Sequence, residues 1–164
     1  MKEILINSDY GGYALNYAVV QKIADLNKDK VYWYVHTDTV MKKDPVVVYE
    51  YGYKRIPFNK VNENDLSKVA VTIKDYGDSM LVTDIKRYKY DLFNLNVMHQ
   101  NDKNYRIDKL IIESVKQLGL KKSSGNYCKL KIVQIPNDTY FTILNDYGKE
   151  SVVYTLSEKM HKVS

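Results

Sequence analysis

The 164-residue chain contains one cysteine, three prolines, seven glycines and only three arginines. Each scarcity excludes something. The single Cys128 cannot form an internal disulfide, which suits a reducing cytoplasm. No apolar run approaches the roughly 20 residues that a spanning helix requires. Near the N-terminus the only apolar run is Ile4-Leu5-Ile6, shorter than the core of a signal peptide. A cytoplasmic protein with no membrane contact is expected. His36, His99 and His161 are scattered without metal-ligand spacing, so no metal site is expected. No histidine neighbours Cys128 in sequence, no elbow motif surrounds Ser8, and no carboxylate pair stands out. No catalytic residue and no cofactor can be assigned, and nothing argues positively for an enzyme.

What is present is lysine and tyrosine. The formal net charge is +5, from 25 Lys+Arg against 20 Asp+Glu, with 16 tyrosines. A basic balance permits contact with nucleic acid or an acidic protein surface. However, arginine, whose planar fork reads phosphates and base edges, is confined to Arg55, Arg87 and Arg106. Lysine, asparagine and tyrosine share AT-rich codons, so the bias also fits an AT-rich genome. The candidate polyanion contacts are Lys86 and Lys89, interleaved with Arg87 and Tyr88, and Lys121 and Lys122, with Lys129 and Lys131 nearby.

Length and pattern point to a single domain of α+β class, with strands dominating and two helices packed on one mixed sheet. Ile4-Leu5-Ile6 reads as a buried strand, and Val19, Val20, Ile23 and Leu26 as the face of a helix over about 15–27 with Asn16 as its N-cap. Val31 to His36 reads as a strand, so a parallel βαβ opening is expected if the two strands are neighbours. Ile107, Leu110, Ile111, Ser114, Val115 and Leu118 mark a helix over about 107–118 that Gly119 closes. Hairpins are expected at about 69–90, turning at Asp75-Tyr76-Gly77-Asp78, and at about 139–156. Lys129 to Ile135 alternates as a strand.

Asp-Tyr-Gly occurs three times, at residues 9–11, 75–77 and 146–148. The flanks differ, so turn chemistry rather than an internal repeat explains it. Asn7-Ser8-Asp9-Tyr10-Gly11-Gly12 is the sharpest local feature. It lies between a strand and a helix, where backbone N–H groups and a positive helix end can meet an anion. It is neither a P-loop nor a dinucleotide fingerprint. A structural turn and a ligand- or partner-binding loop both remain open for it.

Two stretches resemble an uncharacterised protein family of phages and prophages. The first is Asn7-x-x-Tyr10-Gly11-Gly12-Tyr13-x-Leu15-Asn16, where Tyr13 stands for the usual Phe and Asn16 for a capping Ser. The second runs from Arg106-Ile107-Asp108 through Leu118-Gly119 and Gly125 to Lys129-Leu130-Lys131-Ile132-Val133-Gln134-Ile135-Pro136, then Gly148-Lys149-Glu150. Lys109 departs from a common Pro, and Asp146-Tyr147-Gly148 from Tyr-Asp-Gly. The resemblance divides the chain into a frame, 1–36 and 105–156, and an elaborated middle, 37–104.

That resemblance implies a phage or mobile-element protein acting in a bacterial host cell, where such proteins antagonise host defence. The first reading is thus a non-enzymatic antagonist, most concretely an anti-CRISPR that binds a Cas nuclease or its guide RNA. Aromatic anchors in the middle, Tyr49, Tyr51, Tyr53, Tyr88 and Tyr90 with Arg87, are its candidate interface, of which about half should be core. The second reading is a small-ligand or nucleotide-binding protein, a signalling-nucleotide sponge or a phosphate-directed enzyme. Its loop would comprise Asn7, Asp9, Tyr10, Gly11 and Gly12, with Arg106 as a bidentate phosphate clamp and Asp108 orienting Arg106 or capping the following helix.

Overall fold

In Ile4-Leu5-Ile6, successive apolar side chains leave opposite faces of one strand, and all three are fully buried. The computed structural model describes residues 1–37, 42–43, 46–47, 52–65, 68–81, 85–98 and 102–164. Strand β1 (Lys2–Asn7) pairs antiparallel with a distant strand, Leu130–Ile135. Leu5 and Leu130 join the main core beneath the helices, whereas Ile4, Ile6, Val133 and Ile135 pack on Val152 behind. The strand pair is therefore the middle of three layers. Each such buried aliphatic side chain contributes roughly 1.5–3 kcal/mol.

Helix α1 (Tyr17–Asn27) begins at Asn16, whose side chain accepts from the Ala18 N–H, and ends at Lys28 in the left-handed conformation. Next come β2 (Tyr32–Thr37), the two-residue strands β3 (Lys42–Lys43) and β4 (Val46–Val47), β5 (Gly52–Arg55), β6 (Val69–Thr72) and β7 (Ser79–Leu81). A one-turn helix α2 (Lys103–Arg106) leads into α3 (Lys109–Leu118). Asp108 caps α3 by accepting from the Leu110 and Ile111 N–H groups, and Gly119 closes it at φ 91°. A short α4 (Leu120–Ser123) precedes β8 (Leu130–Ile135), and β9 (Phe141–Asp146), β10 (Lys149–Leu156) and β11 (Lys159–Val163) form a meander.

The α+β class and both long helices are as expected, but the single mixed sheet is not. The strands form several sheets, and among the described residues every pairing is antiparallel. β1 and β2 lie in different sheets, so the opening is not a parallel βαβ unit. The hairpin at 139–156 is present: β9 and β10 join through Tyr147 and Gly148, both at positive φ as a type I′ turn requires. The hairpin at 69–90 is not present. β6 pairs with β2, β7 pairs with β5, and the order β6-β2-β5-β7 places these strands on opposite edges. Alternation identifies a strand, but without a two-residue hairpin turn it does not choose the neighbour. The linker instead crosses the sheet: the Tyr34 hydroxyl donates to the Gly77 carbonyl and accepts from the Tyr76 N–H.

The middle of the chain is no appendage. Val61, Val69, Val71, Tyr88, Tyr90, Leu92 and Leu95 share one core with Tyr17, Val20, Ile23, Ile111 and Val115. Trp33 on β2 links the two parts, meeting Tyr17 edge-on at 5.4 Å and Phe58 at 4.7 Å between ring centres.

Candidate functional site

Residues of the two sequence stretches 7–16 and 106–150 converge on one buried lock. Arg106 and Glu150, 3% and 4% exposed, face each other bidentately: Nη1 to Oε2 at 2.8 Å and Nη2 to Oε1 at 2.9 Å. Nη1 also donates to the Leu5 carbonyl, and the guanidinium lies 3.3 Å from the centre of the Tyr13 ring. Glu150 Oε2 accepts a further bond from the Asn7 N–H at 2.9 Å. Burial pushes the Tyr13 phenol well above its ordinary range despite the neighbouring cation.

Asn7, fully buried at the end of β1, is the second part of the lock. Its Oδ1 accepts from the Lys129 N–H at 2.9 Å, and its Nδ2 donates to the carbonyls of Gly148 and Asp9. One asparagine thus ties the Tyr-Gly-Gly loop, the start of β8 and the β9–β10 turn together. The glycines allow these backbones to touch. A Cβ on Gly11 would lie 1.5 Å from the Tyr127 carbonyl oxygen, and one on Gly148 would lie 2.5 Å from that of Tyr10.

This geometry gives the loop's polar groups partners within the chain. The first amides of α1 are already engaged: Tyr17 N–H by the Glu63 carbonyl, Ala18 N–H by the Asn16 side chain and Val19 N–H by the Asn16 carbonyl. The fork of Arg106, expected to clamp a phosphate, holds a carboxylate of the chain itself. Asp108 is the N-cap of α3 and accepts from the Tyr90 hydroxyl at 3.3 Å. Asn7, Gly11, Gly12, Arg106 and Asp108 are therefore architecture, and Asp9 and Tyr10 sit on the exposed outside of it.

About half of the tyrosines expected at an interface in the middle were expected in the core, and three of the five are buried there. Tyr53, Tyr88 and Tyr90 are 5%, 4% and 8% exposed. Their hydroxyls are used internally: Tyr88 donates to Asp29 at 2.6 Å, Tyr90 to Asp108, and Tyr53 accepts from Arg87. Arg87 also binds the Val69 carbonyl and pairs with Asp91 at 3.1 Å. Asp91, fully buried, accepts from the Val71 and Phe93 N–H groups and the Tyr17 hydroxyl. A tyrosine on alternate positions suits an interior face as well as an outer one, so spacing alone did not distinguish them. Tyr49, Tyr51 and His99 lie outside the described residues.

Among the described residues the most exposed tyrosines are elsewhere. Tyr10, Tyr127 and Tyr147 are 60%, 87% and 89% exposed. They project from the three segments that the lock holds in backbone contact. Tyr127 and Tyr147 have φ of 60° and 51°, a region that L-residues other than asparagine and aspartate rarely occupy. The Lys149 ammonium lies 5.5 Å from the centre of the Tyr10 ring, and Asp9 and Asp146 are exposed in the same loops. Only Tyr10 was among the expected site residues; the positive φ of Tyr127 and Tyr147 had no sequence signal beyond the Gly and Asn beside them.

Of the lysine candidates, Lys86 and Lys89 line an open groove of about 840 Å³. Lys121 and Lys122 are exposed on α4. Burial pushes the Cys128 thiol up to about 11, which leaves it protonated and a poor nucleophile at neutral pH. His161 stacks on Tyr154, and His36 meets Tyr53 edge-on. Among the described residues no group of three His, Cys, Asp or Glu could hold a metal ion, and no helix is long and apolar enough to cross a membrane. Compared with known proteins, the chain matches no family model, no curated protein and no solved structure.

Proposed function

We propose that the protein is a non-enzymatic binding protein that grips another protein through Tyr10, Tyr127 and Tyr147, in the manner of an antagonist of bacterial defence. The observation that carries this reading is the display of three exposed aromatics on loops fixed by a buried ion pair and by glycine-permitted backbone contact. Exposing large rings at positive φ costs stability, and such costs concentrate where a surface has a task. Tyrosine is a favoured anchor of protein interfaces, and anchors held rigid lose little entropy on binding. The surrounding charges are mixed, Lys149 against Asp9 and Asp146, which suits the polar rim of a protein interface better than a polyanion.

The phage-family resemblance directs the search for the partner to host defence proteins, Cas nucleases first. The test is size-exclusion and biolayer measurement with purified Cas nuclease, with and without guide RNA. A stable complex is expected. Alanine at Tyr10, Tyr127 and Tyr147 together should weaken it at least about 100-fold, since interface hot spots are worth about 2 kcal/mol or more each. Tyr140→Ala, which removes a tyrosine 91% exposed on another loop, should leave it intact. Failure to bind any Cas nuclease would remove that partner, and a complex indifferent to the triple substitution would remove the tyrosine surface.

A further inference from the structure

The groove beside α1 is lined by three lysines that form no ion pair among the described residues, Lys74, Lys86 and Lys89, and by one carboxylate, Asp29. None of these belongs to the tyrosine loops. Asp29 Oδ2 accepts both the Tyr88 hydroxyl, at 2.6 Å, and the Asn27 amide, at 2.7 Å. These bonds hold its carboxyl below the ordinary range, so it stays ionised. Its other oxygen, Oδ1, makes no hydrogen bond among the described residues. Ile73, 57% exposed, supplies an apolar wall. The Lys74 and Lys89 ammonium groups lie 5.0 and 5.3 Å from the ring centres of Tyr76 and Tyr90.

We propose that this groove binds a nucleotide unit, its phosphate held by Lys74, Lys86 and Lys89, its base packed on Ile73 and donating an N–H to Asp29 Oδ1. A volume of about 840 Å³ lies within the roughly 300–1,000 Å³ of small-molecule sites. A featureless polyanion would gain from the lysines but be opposed by Asp29. A base supplies the donor that a carboxylate needs, as aspartate accepts from the cytosine amino group in duplex recognition. Arg87 also lines the groove, but its guanidinium is taken up by Asp91, the Val69 carbonyl and the Tyr53 hydroxyl. The same chemistry is offered by a free nucleotide and by a single strand of RNA.

The two sources separate in one experiment on the full chain. Binding of fluorescein-labelled single-stranded RNA of about ten nucleotides is followed by anisotropy across a salt series. Free CMP, AMP and UMP are followed by chemical-shift perturbation of the Ile73 and Lys86 amides. Shifts with mononucleotides alone identify a free nucleotide as the ligand; tight, salt-dependent strand binding as well identifies RNA. In either case Lys86→Ala with Lys89→Ala should cut affinity about tenfold or more, and for single-stranded RNA should lower the salt slope by about 1.4. CMP and AMP, whose amino groups can donate to Asp29, should bind more tightly than UMP, whose N3–H is flanked by two carbonyl oxygens, and Asp29→Asn should narrow that difference. Lys121→Ala with Lys122→Ala on α4 should change nothing. No binding in either format would overturn the proposal, as would a loss shared equally by the α4 variant, which would mean attraction to net charge alone.

Discussion

Arg106 illustrates how a side chain suited to ligand binding becomes structural. Its guanidinium is satisfied by Glu150, the Leu5 carbonyl and the Tyr13 ring, away from water. Removing one partner of such a pair leaves an uncompensated buried charge, which costs about 3–5 kcal/mol. Arg106→Ala is therefore expected to lower stability by that amount in urea unfolding, and Glu150→Ala by a similar amount. The double variant Arg106→Met with Glu150→Leu should be more stable than either single one, because no charge is stranded, though below wild type, because the Asn7 N–H and the Leu5 carbonyl lose partners. Singles near wild type would show that water reaches this pair. That result would reopen Arg106 as a ligand group.

The same residue marks a limit of reading the chain alone. Arg106 and Glu150 are 44 positions apart, and Asn7 and Gly148 are 141 apart. The motif fragments could be seen one by one, but nothing in them said that they meet. A bidentate arginine looks alike whether its carboxylate or phosphate is the protein's own or a ligand's. Asp91, which organises the half-buried Arg87, was marked by no motif in the sequence.

At the scale of elements, signals set within a few residues were legible and pairings over long range were not. Asn16, Asp108 and Gly119 mark helix ends because capping is local chemistry. The β9–β10 hairpin was legible for the same reason. The partnership of β1 with β8 and the edge positions of β6 and β7 depend on which hydrophobic faces must be shared, which alternation does not encode. The Tyr-Gly-Gly loop makes this testable. Gly11 abuts the Tyr127 carbonyl so closely that a methyl group does not fit unless the two backbones part. Gly11→Ala should separate the 10–12 loop from the segment bearing Tyr127, costing about 1–3 kcal/mol as overpacking. Partner binding through the three tyrosines should fall further than that stability loss explains. Amide exchange checks it: faster exchange at Ser8 and Lys129, whose N–H groups bond across this seam, with α3 unchanged. Unaltered protection at both amides would mean the loops are not coupled.

At the scale of the whole molecule, frame and elaborated middle share one core. β2, counted with the frame, is an inner strand of a sheet whose other strands, β5, β6 and β7, all come from the middle. Tyr88, Tyr90, Leu92 and Leu95 fill the space under α1 and α3. Among the described residues the most exposed tyrosines, Tyr10, Tyr127, Tyr140 and Tyr147, lie in the frame, and Tyr88, Tyr90, Leu92 and Leu95 of the middle lie in the interior. Replacing residues 38–104 by a short glycine-serine linker should therefore not yield a folded core. Trp33 would lose Phe58, and Tyr17 would lose both Asp91 and the Val69 carbonyl. The shortened chain should lack the near-ultraviolet circular dichroism of a packed tryptophan and bind hydrophobic dyes. The full chain should unfold in urea in one transition reported alike by Trp33 fluorescence and backbone dichroism. A shortened chain with a cooperative transition of its own would show instead that β1, β8 and the meander carry enough apolar burial to fold alone, and that the middle is a separate unit laid upon them.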